Sequence, residues 1–150
     1  MRNNKSEQII YRRGNNLLRA LMVFVGISGC FSVLFGAWLA HGGQALSLSA
    51  QSSLATALQY QFIHTLALFA SLVWLKTSNV NKHSKILISA SIAFVVGIVC
   101  FCGIIYIKTL FEFSESLSAL PITLGKLTPF GGISFAFAWL MLAFESKNKF

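Results

Sequence analysis

The sequence predicts an all-α integral membrane protein, built as a bundle of four transmembrane helices. Hydrophobic residues make up 55% of the 150 positions and charged residues only 11%. Soluble domains typically contain roughly 25% charged residues. The mean hydropathy of +0.70 is correspondingly high. Four apolar runs of about 20 residues, each long enough to cross a bilayer as a helix, account for this composition.

The chain begins with a basic tail, residues 1–16, and a first span is predicted over about residues 18–40. This run is too long for the core of a signal peptide, and bulky Trp38 does not fit the small residues of a cleavage site. Small side chains recur every four residues on one face, which permits another helix to approach closely. These helix-packing residues are Ser28, Ser32, Gly36 and Ala40. We therefore expect the first helix to lie at the centre of the bundle.

Three further spans are predicted over about residues 55–75, 86–107 and 127–144, which completes a transmembrane domain of residues 17–144. A second cytoplasmic tail, residues 145–150, follows. Between the third and fourth spans, apolar periodicity over residues 110–120 predicts an amphipathic helix at the membrane surface.

Small residues in the later spans are also predicted to pack against neighbouring helices. Ala93 and Gly97 repeat the four-residue spacing in the third span, and Gly131 and Gly132 open the fourth. Pro129 precedes these glycines and either starts the helix, where its missing donor is not needed, or helps to expose backbone amides to an anionic group.

The positions of the basic residues predict the orientation. Of the 12 Lys and Arg residues, all but Lys108 and Lys126 lie in the basic tail or at the very start of the first span (Arg19), between the second and third spans, or after the fourth. Because basic loops are enriched on the cytoplasmic side, both termini are predicted to be cytoplasmic.

Composition and motifs argue against several functional classes. The net charge of +8 does not indicate a nucleic-acid partner, because the basic residues lie between apolar spans and not on one folded face. Cys30, Cys100 and Cys102 lie inside apolar spans without the spacing of a zinc site. The chain has no Asp, and its four Glu residues fall outside the predicted spans. We therefore expect no enzymatic activity, no metal and no cofactor.

Four segments carry a recognisable pattern: FGAWLAHGG at residues 35–43, ATALQYQFIHTLAL at 55–68, CFCGIIY at 100–106 and LTPFGGISFAFAW at 127–139. In this order they resemble the YgdD-like family of small bacterial inner-membrane proteins, to which eukaryotic transmembrane protein 256 is also similar. The sequence departs from the family at Cys102 and Ile104, where serines are usual, and at Ala138, where glycine commonly precedes the tryptophan. The resemblance implies a four-helix protein of the bacterial inner membrane and implies no activity.

Alternating helix directions bring these four segments into the outer half of the membrane, because the first and third spans end with them and the second and fourth begin with them. Their polar side chains are expected to form a pocket there, composed of His41, Gln59, Tyr60, Gln61, His64, Tyr106 and Thr128. Residues two positions apart on a helix point to nearly opposite sides. Gln59 therefore either lines the pocket or lies at the headgroup boundary.

His64 is the most informative of these residues, since it lies about 13 Å inside the second span at about 1.5 Å per residue. A polar group near mid-bilayer needs a partner. His64 is either a neutral group in a helix-to-helix hydrogen bond or a proton-accepting or ligand-binding group. Pairing with His41 at a metal or haem is disfavoured by the difference in depth and by the lack of a third ligand.

Two functions fit the sequence. The first is a structural or accessory subunit that packs in the lipid bilayer, as a homo-oligomer or within a larger membrane complex. The second is a carrier or binding protein for a small molecule or lipid, with His64 as the floor of the polar pocket.

Overall fold

The computed structural model describes residues 3–77, 84–112 and 127–149. Every regular element among these residues is helical, which confirms the all-α class. The helices are α1 (Asn3–His41), α2 (Leu48–Thr77), α3 (Lys85–Gly97), α4 (Ile104–Glu112) and α5 (Thr128–Lys149), with a short 3-10 turn at Gly43–Ala45.

Four stretches of the described chain are long and apolar enough to cross a membrane. They are Gly14–His41, Leu48–Thr77, Lys85–Leu110 and Thr128–Lys147. The third stretch contains both α3 and α4, because a π-helical segment, Ile98–Gly103, joins them without a break. The four predicted spans are therefore confirmed as helices of membrane-spanning length.

Polar side chains explain where two of these helices begin. The Ser47 hydroxyl accepts a hydrogen bond from the Ala50 N–H at 3.2 Å, and the Ser84 hydroxyl accepts one from the Leu87 N–H at 3.3 Å. Such caps satisfy N–H groups that have no partner within the first helical turn. In the first turn of α2, Gln51 also donates to the Leu46 carbonyl at 2.8 Å, which ties the short connection from α1 to the helix.

Successive spans run in opposite directions. Ser28 of α1 contacts Thr65 of α2, whereas the later residue Gly36 faces the earlier residue Leu58. The same inversion relates α2 to α3 and α3 to α5. The start of α1 and the end of α5 therefore lie at one end of the bundle. We call this the basic end, because it carries the exposed side chains of Arg12, Arg19, Lys76, Lys85 and Lys147.

The centre of the fold is α2 and not α1, which corrects the expectation from the small-residue spacing. In the most apolar stretch of α2, 44% of the residues are buried, compared with 17% in α1. The reason is that α1 packs mainly on α2, while α2 also packs on α3, α4 and the π-helical segment. The spacing of small residues identified one contact face of α1 but did not show how many other helices pack against α1.

Two glycines allow α5 to pack closely on the third span. A Cβ at Gly97 would overlap the ring of Phe135. A Cβ at Gly131 would lie 2.5 Å from the backbone nitrogen of Phe101, inside the π-helical segment. Because that neighbour is backbone, it cannot move aside as a flexible side chain can. The wide π turn and Gly131 therefore form a close contact between the two backbones.

The helices extend beyond the predicted spans. α1 begins at Asn3, so most of the predicted tail of residues 1–16 is helical, and α2 begins seven residues earlier than expected, at Leu48 instead of Ala55. α5 continues to Lys149, and Glu145 lies within the fourth membrane-length stretch with only 4% of its surface exposed. The fourth helix therefore continues into the predicted tail of residues 145–150 as far as Lys149. The amphipathic helix predicted over residues 110–120 lies outside the described residues beyond Glu112.

Candidate functional site

A buried polar cluster joins α1 to α2. The hydroxyls of Ser28 and Thr65 lie 2.7 Å apart, and the Gln61 side-chain amide donates to the Ser28 hydroxyl at 3.0 Å and to its carbonyl at 3.3 Å. The Ser32 hydroxyl donates to the same carbonyl at 2.9 Å. All four side chains are buried. In an apolar environment such bonds hold two helices together, because a separated polar group would lose its partner.

His64 is next to this cluster on the surface of α2 but is turned toward α3 and α5, where aromatic rings surround it. Its imidazole stacks on the ring of Phe135 with a centroid separation of 3.6 Å and an interplanar angle of 15°. Tyr60, Phe94 and Trp139 place their ring centroids between 5.7 and 6.4 Å from it. Rings from α2, α3 and α5 therefore enclose one imidazole at the junction of three helices.

The hydrogen bond of His64 determines which ring nitrogen carries a proton. Nδ1 lies 2.7 Å from the backbone carbonyl of Tyr60, one turn earlier in α2. A carbonyl oxygen only accepts, so Nδ1 must donate, and in the neutral ring Nε2 then has a free lone pair. No hydrogen bond joins Nε2 to another of the described residues. The ring can therefore accept a proton or a hydrogen bond at Nε2.

Aromatic rings of α2 and α5 meet at His64. The ring of Phe135 contacts both Tyr60 and His64, and the ring of Trp139 also lies against His64. Tyr60 is 41% exposed and Trp139 is 47% exposed, whereas His64 is 7% exposed. The buried imidazole is therefore flanked by two half-exposed aromatic side chains.

Tyr106 lies apart from this cleft, against α1. Its ring packs on Phe35 at 4.9 Å and on Phe31 at 5.5 Å between centroids. The hydroxyl is buried and has no hydrogen-bond partner among the described residues. An unpaired buried hydroxyl costs about 1–3 kcal/mol, so this group is an unsatisfied polar site within the α1–α4 contact.

The remaining predicted pocket residues do not join His64. His41 and Gln59 are exposed, and Thr128 is half-buried at the start of α5. Gln61 faces α1, while Tyr60 and His64 face α3 and α5. The physical reason is helix periodicity, because neighbouring positions on α2 point in different directions and reach different helices. The predicted residues thus form separate contacts in place of one pocket.

Most of the predicted helix-packing residues lie at contacts. Ser28 and Ser32 are buried, a Cβ at Gly36 would lie 3.3 Å from the Leu58 side chain, and the Ala93 carbonyl accepts from the Ser134 hydroxyl at 2.8 Å. Gly97 and Gly131 lie in the close α5 contact described above. By contrast, Ala40 is exposed and Gly132 has no atom within 4 Å of the position that a Cβ would take.

Sequence reasoning missed several residues that the structure brings to these contacts. Thr65 follows His64 and lies four residues after Gln61, so helical spacing could have identified it. The rings around His64 come from other spans, and apolar sequence runs contain no signal that selects one phenylalanine over another. These residues are Phe94, Phe135 and Trp139. Phe101, which stacks on Tyr60, was missed for the same reason.

The structure also shows how far apart His41 and His64 lie, the two histidines considered as a metal or haem pair from the sequence. Among the described residues, no three His, Cys, Asp or Glu side chains are grouped so that they could hold a metal ion. His41 ends α1, about 20 Å along that helix from Ser28, which lies level with His64, at about 1.5 Å per residue. The two histidines therefore cannot share one ligand.

Comparison with known proteins places this arrangement in a family. The chain is 35% identical to a UPF0382 membrane protein of Haemophilus influenzae over 130 residues, 85% of this chain and 94% of the relative. It is 30% identical to a UPF0382 membrane protein of Staphylococcus saprophyticus, again over 130 residues, with 83% and 94% covered. No solved structure matches the chain. A family model matches residues 35–132, a range that includes Gln61 and His64. The chain therefore belongs to the membrane-protein family described as Protein of unknown function (DUF423).

Proposed function

We propose that this protein is a structural or accessory subunit of the bacterial inner membrane, which acts by packing against other membrane components. The observation that carries the proposal is the bonding of the buried polar side chains of α2. Gln61 and Thr65 bond to Ser28 of α1, so these polar groups hold the fold together and are not presented to a substrate. The proposal includes no catalytic step, since the chain has no Asp and no catalytic motif.

The proposed orientation has both termini in the cytoplasm. Support comes from the exposed Arg and Lys side chains at the basic end, where α1 begins and α5 ends. Basic residues are retained on the cytoplasmic side of membrane proteins. The opposite end, with His41 and the Gly43–Ala45 turn, would then face away from the cytoplasm.

The surface proposed for packing is the outer face of α1. Residues with side chains no larger than valine form a line along the face of α1 that is turned away from α2. They are Gly26, Cys30, Val33 and Ala37, and all four are exposed. No heavy atom outside the helix lies within 4 Å of the position that a Cβ at Gly26 would take. Small residues spaced in this way let a second helix approach closely in a bilayer. The partner is a second copy of this chain or another membrane protein.

Cys30 offers a direct test of this surface. We expect a chain with Cys30 as its only cysteine, made by Cys100→Ala and Cys102→Ala, to form a crosslinked product in native membranes with a short bifunctional thiol reagent. The matched control is a chain without these three cysteines that carries Ile63→Cys on the exposed face of α2. Equal crosslinking from both positions, or only monomer from Cys30 together with unchanged membrane complexes after gene deletion, would contradict the proposal.

A second function, binding of a small molecule or lipid, is favoured by the unbonded Nε2 of His64, which lies beside the half-exposed rings of Tyr60 and Trp139. A ligand that reaches this nitrogen could donate a hydrogen bond to it while its apolar part packs on the rings. The test is His64→Leu, compared with Gln59→Leu at an exposed position on the same helix. If the folded His64→Leu protein co-purifies with the same small molecules as the unmodified protein, His64 has no such role.

A further inference from the structure

Nε2 of His64 has a lone pair that no hydrogen bond within the described chain uses. Nδ1 donates to the Tyr60 carbonyl, and no hydrogen bond joins Nε2 to another of the described residues. Among these residues, the Tyr106 hydroxyl is the one fully buried side-chain polar atom without a partner. Nε2 of His64, which also has no partner, therefore retains accessible surface that a small donor group can contact.

Two other polar groups beside this imidazole are also unbonded. The ring centroids of Trp139 and Tyr60 lie 6.4 and 5.7 Å from that of His64, and both side chains are half-exposed. Neither the Trp139 indole N–H nor the Tyr60 hydroxyl forms a hydrogen bond with another of the described residues. The surface beside His64 therefore combines an acceptor, a donor and a hydroxyl group with two exposed aromatic rings.

These side chains lie near the middle of the fourth membrane-length stretch. Trp139 is about 16 Å from Thr128 and about 12 Å from Lys147 along α5, at about 1.5 Å per residue, and the hydrocarbon core is about 30 Å thick. Tryptophans of membrane proteins are enriched instead at the two interfaces, where the indole N–H reaches water or headgroups. A small molecule that bonds to His64 must therefore be soluble in the hydrocarbon core.

Bonding and depth together select the class of ligand. The partner of Nε2 must donate a hydrogen bond, so ethers and compounds with carbonyl groups alone do not fit. Charged amines, carboxylates and phosphates stay at the headgroups, because their transfer into hydrocarbon is strongly unfavourable. We propose that His64 binds a lipid-soluble quinol, a neutral flat ring that carries hydroxyl groups and an apolar tail. The site is that of the second function proposed above, on which this proposal rests.

A quinol matches each of the groups around His64. One hydroxyl donates to Nε2, and a hydroxyl oxygen accepts from the Trp139 N–H. The flat ring packs on the half-exposed rings of Tyr60 and Trp139, as aromatic rings do in offset or edge-to-face pairs. The oxidised quinone has carbonyl groups in place of the hydroxyls and offers no donor to Nε2. The site therefore prefers the reduced form.

Fluorescence titration of the full chain in lipid nanodiscs tests the proposal. Trp38→Phe and Trp74→Phe leave Trp139, beside the site, as the only tryptophan. We expect decylubiquinol to bind about tenfold more tightly than its dimethyl ether, which has the same ring and tail without the hydroxyls, the effect of about one hydrogen bond. The oxidised quinone should bind as weakly as the ether. Equal affinity of the quinol and the ether would overturn the proposal without any variant at His64.

Variants of the single-tryptophan chain locate the site on α2. His64→Leu should abolish the preference for the quinol over the ether, because it removes the acceptor. Phe62→Leu is the matched control and should retain the preference, since Phe62 is 46% exposed on the same helix. A preference that persists in the folded His64→Leu protein would overturn the assignment to His64.

A long-chain alcohol separates the quinol class from small-molecule binding in general. Dodecanol has a hydroxyl group but no ring, and we expect it to bind more weakly than the quinol. If dodecanol binds as tightly as the quinol and loses this affinity in His64→Leu, the quinol class is wrong while binding at His64 stands. Failure of the function itself has a different sign, which is unchanged co-purification of small molecules with His64→Leu.

Discussion

The imidazole of His64 lies flat on the ring of Phe135, with the two centroids 3.6 Å apart. This stack connects α2 to α5, and the same phenylalanine fills the space over Gly97 in α3. Phe135 therefore links three helices at one point. The contact depends on residues from spans that are far apart in the sequence.

Replacement of Phe135 by Ala should strongly reduce stability. We expect the free energy of unfolding, measured by denaturant titration in detergent micelles, to fall by about 3 kcal/mol, because a buried aromatic side chain is removed. Phe137→Ala is the matched control, since Phe137 is 53% exposed two positions further along α5. Equal losses from the two variants would show that the His64 stack contributes nothing specific.

Gly131 and Gly132 should respond differently to the same substitution. A Cβ at Gly131 would overlap the Phe101 backbone, so Gly131→Ala should separate α5 from the third span and lower the melting temperature. A Cβ at Gly132 would meet no atom within 4 Å, and alanine is favoured over glycine within a helix by about 1 kcal/mol. Gly132→Ala should therefore be neutral or slightly stabilising. Thermal unfolding of both variants, followed by circular dichroism, checks this contrast.

The Ser28 and Gln61 side chains should be energetically coupled. A double-mutant cycle with Ser28→Ala and Gln61→Leu is expected to give a coupling of about 0.6–2 kcal/mol, the range found for hydrogen bonds between membrane helices. Gln59→Leu, at an exposed position two residues earlier, should show no coupling to Ser28→Ala. Additive effects of Ser28→Ala and Gln61→Leu would contradict the hydrogen-bonded cluster.

Removal of the Tyr106 hydroxyl should raise stability. Because this hydroxyl is buried without a partner, Tyr106→Phe should increase the free energy of unfolding by about 1 kcal/mol or more. The same change at Tyr60, which is 41% exposed, should have little effect. A destabilised Tyr106→Phe protein would indicate that the hydroxyl has a bonding partner in the membrane.

The number of spans could be predicted from the sequence because hydrophobic length is a local property. A run of about 20 apolar residues must form a helix in a bilayer, where every backbone polar group needs an internal partner. The helix ends were less well predicted, as the start of α1 at Asn3 and the burial of Glu145 show. A helix can continue past the apolar region wherever no residue interrupts it.

The sequence by itself determined that the chain forms four apolar helices, that small residues mark a contact face on α1, and that Gln61 and His64 need partners within the membrane. Only the tertiary structure decided which residues those partners are. Gln61 bonds to Ser28, His64 stacks on Phe135, and α2 takes the central position. The physical reason is that hydrophobic periodicity specifies which faces are apolar, while the choice of partner depends on how whole helices cross. That crossing is set here by Gly97, Gly131 and the π-helical segment, through contacts between distant parts of the chain.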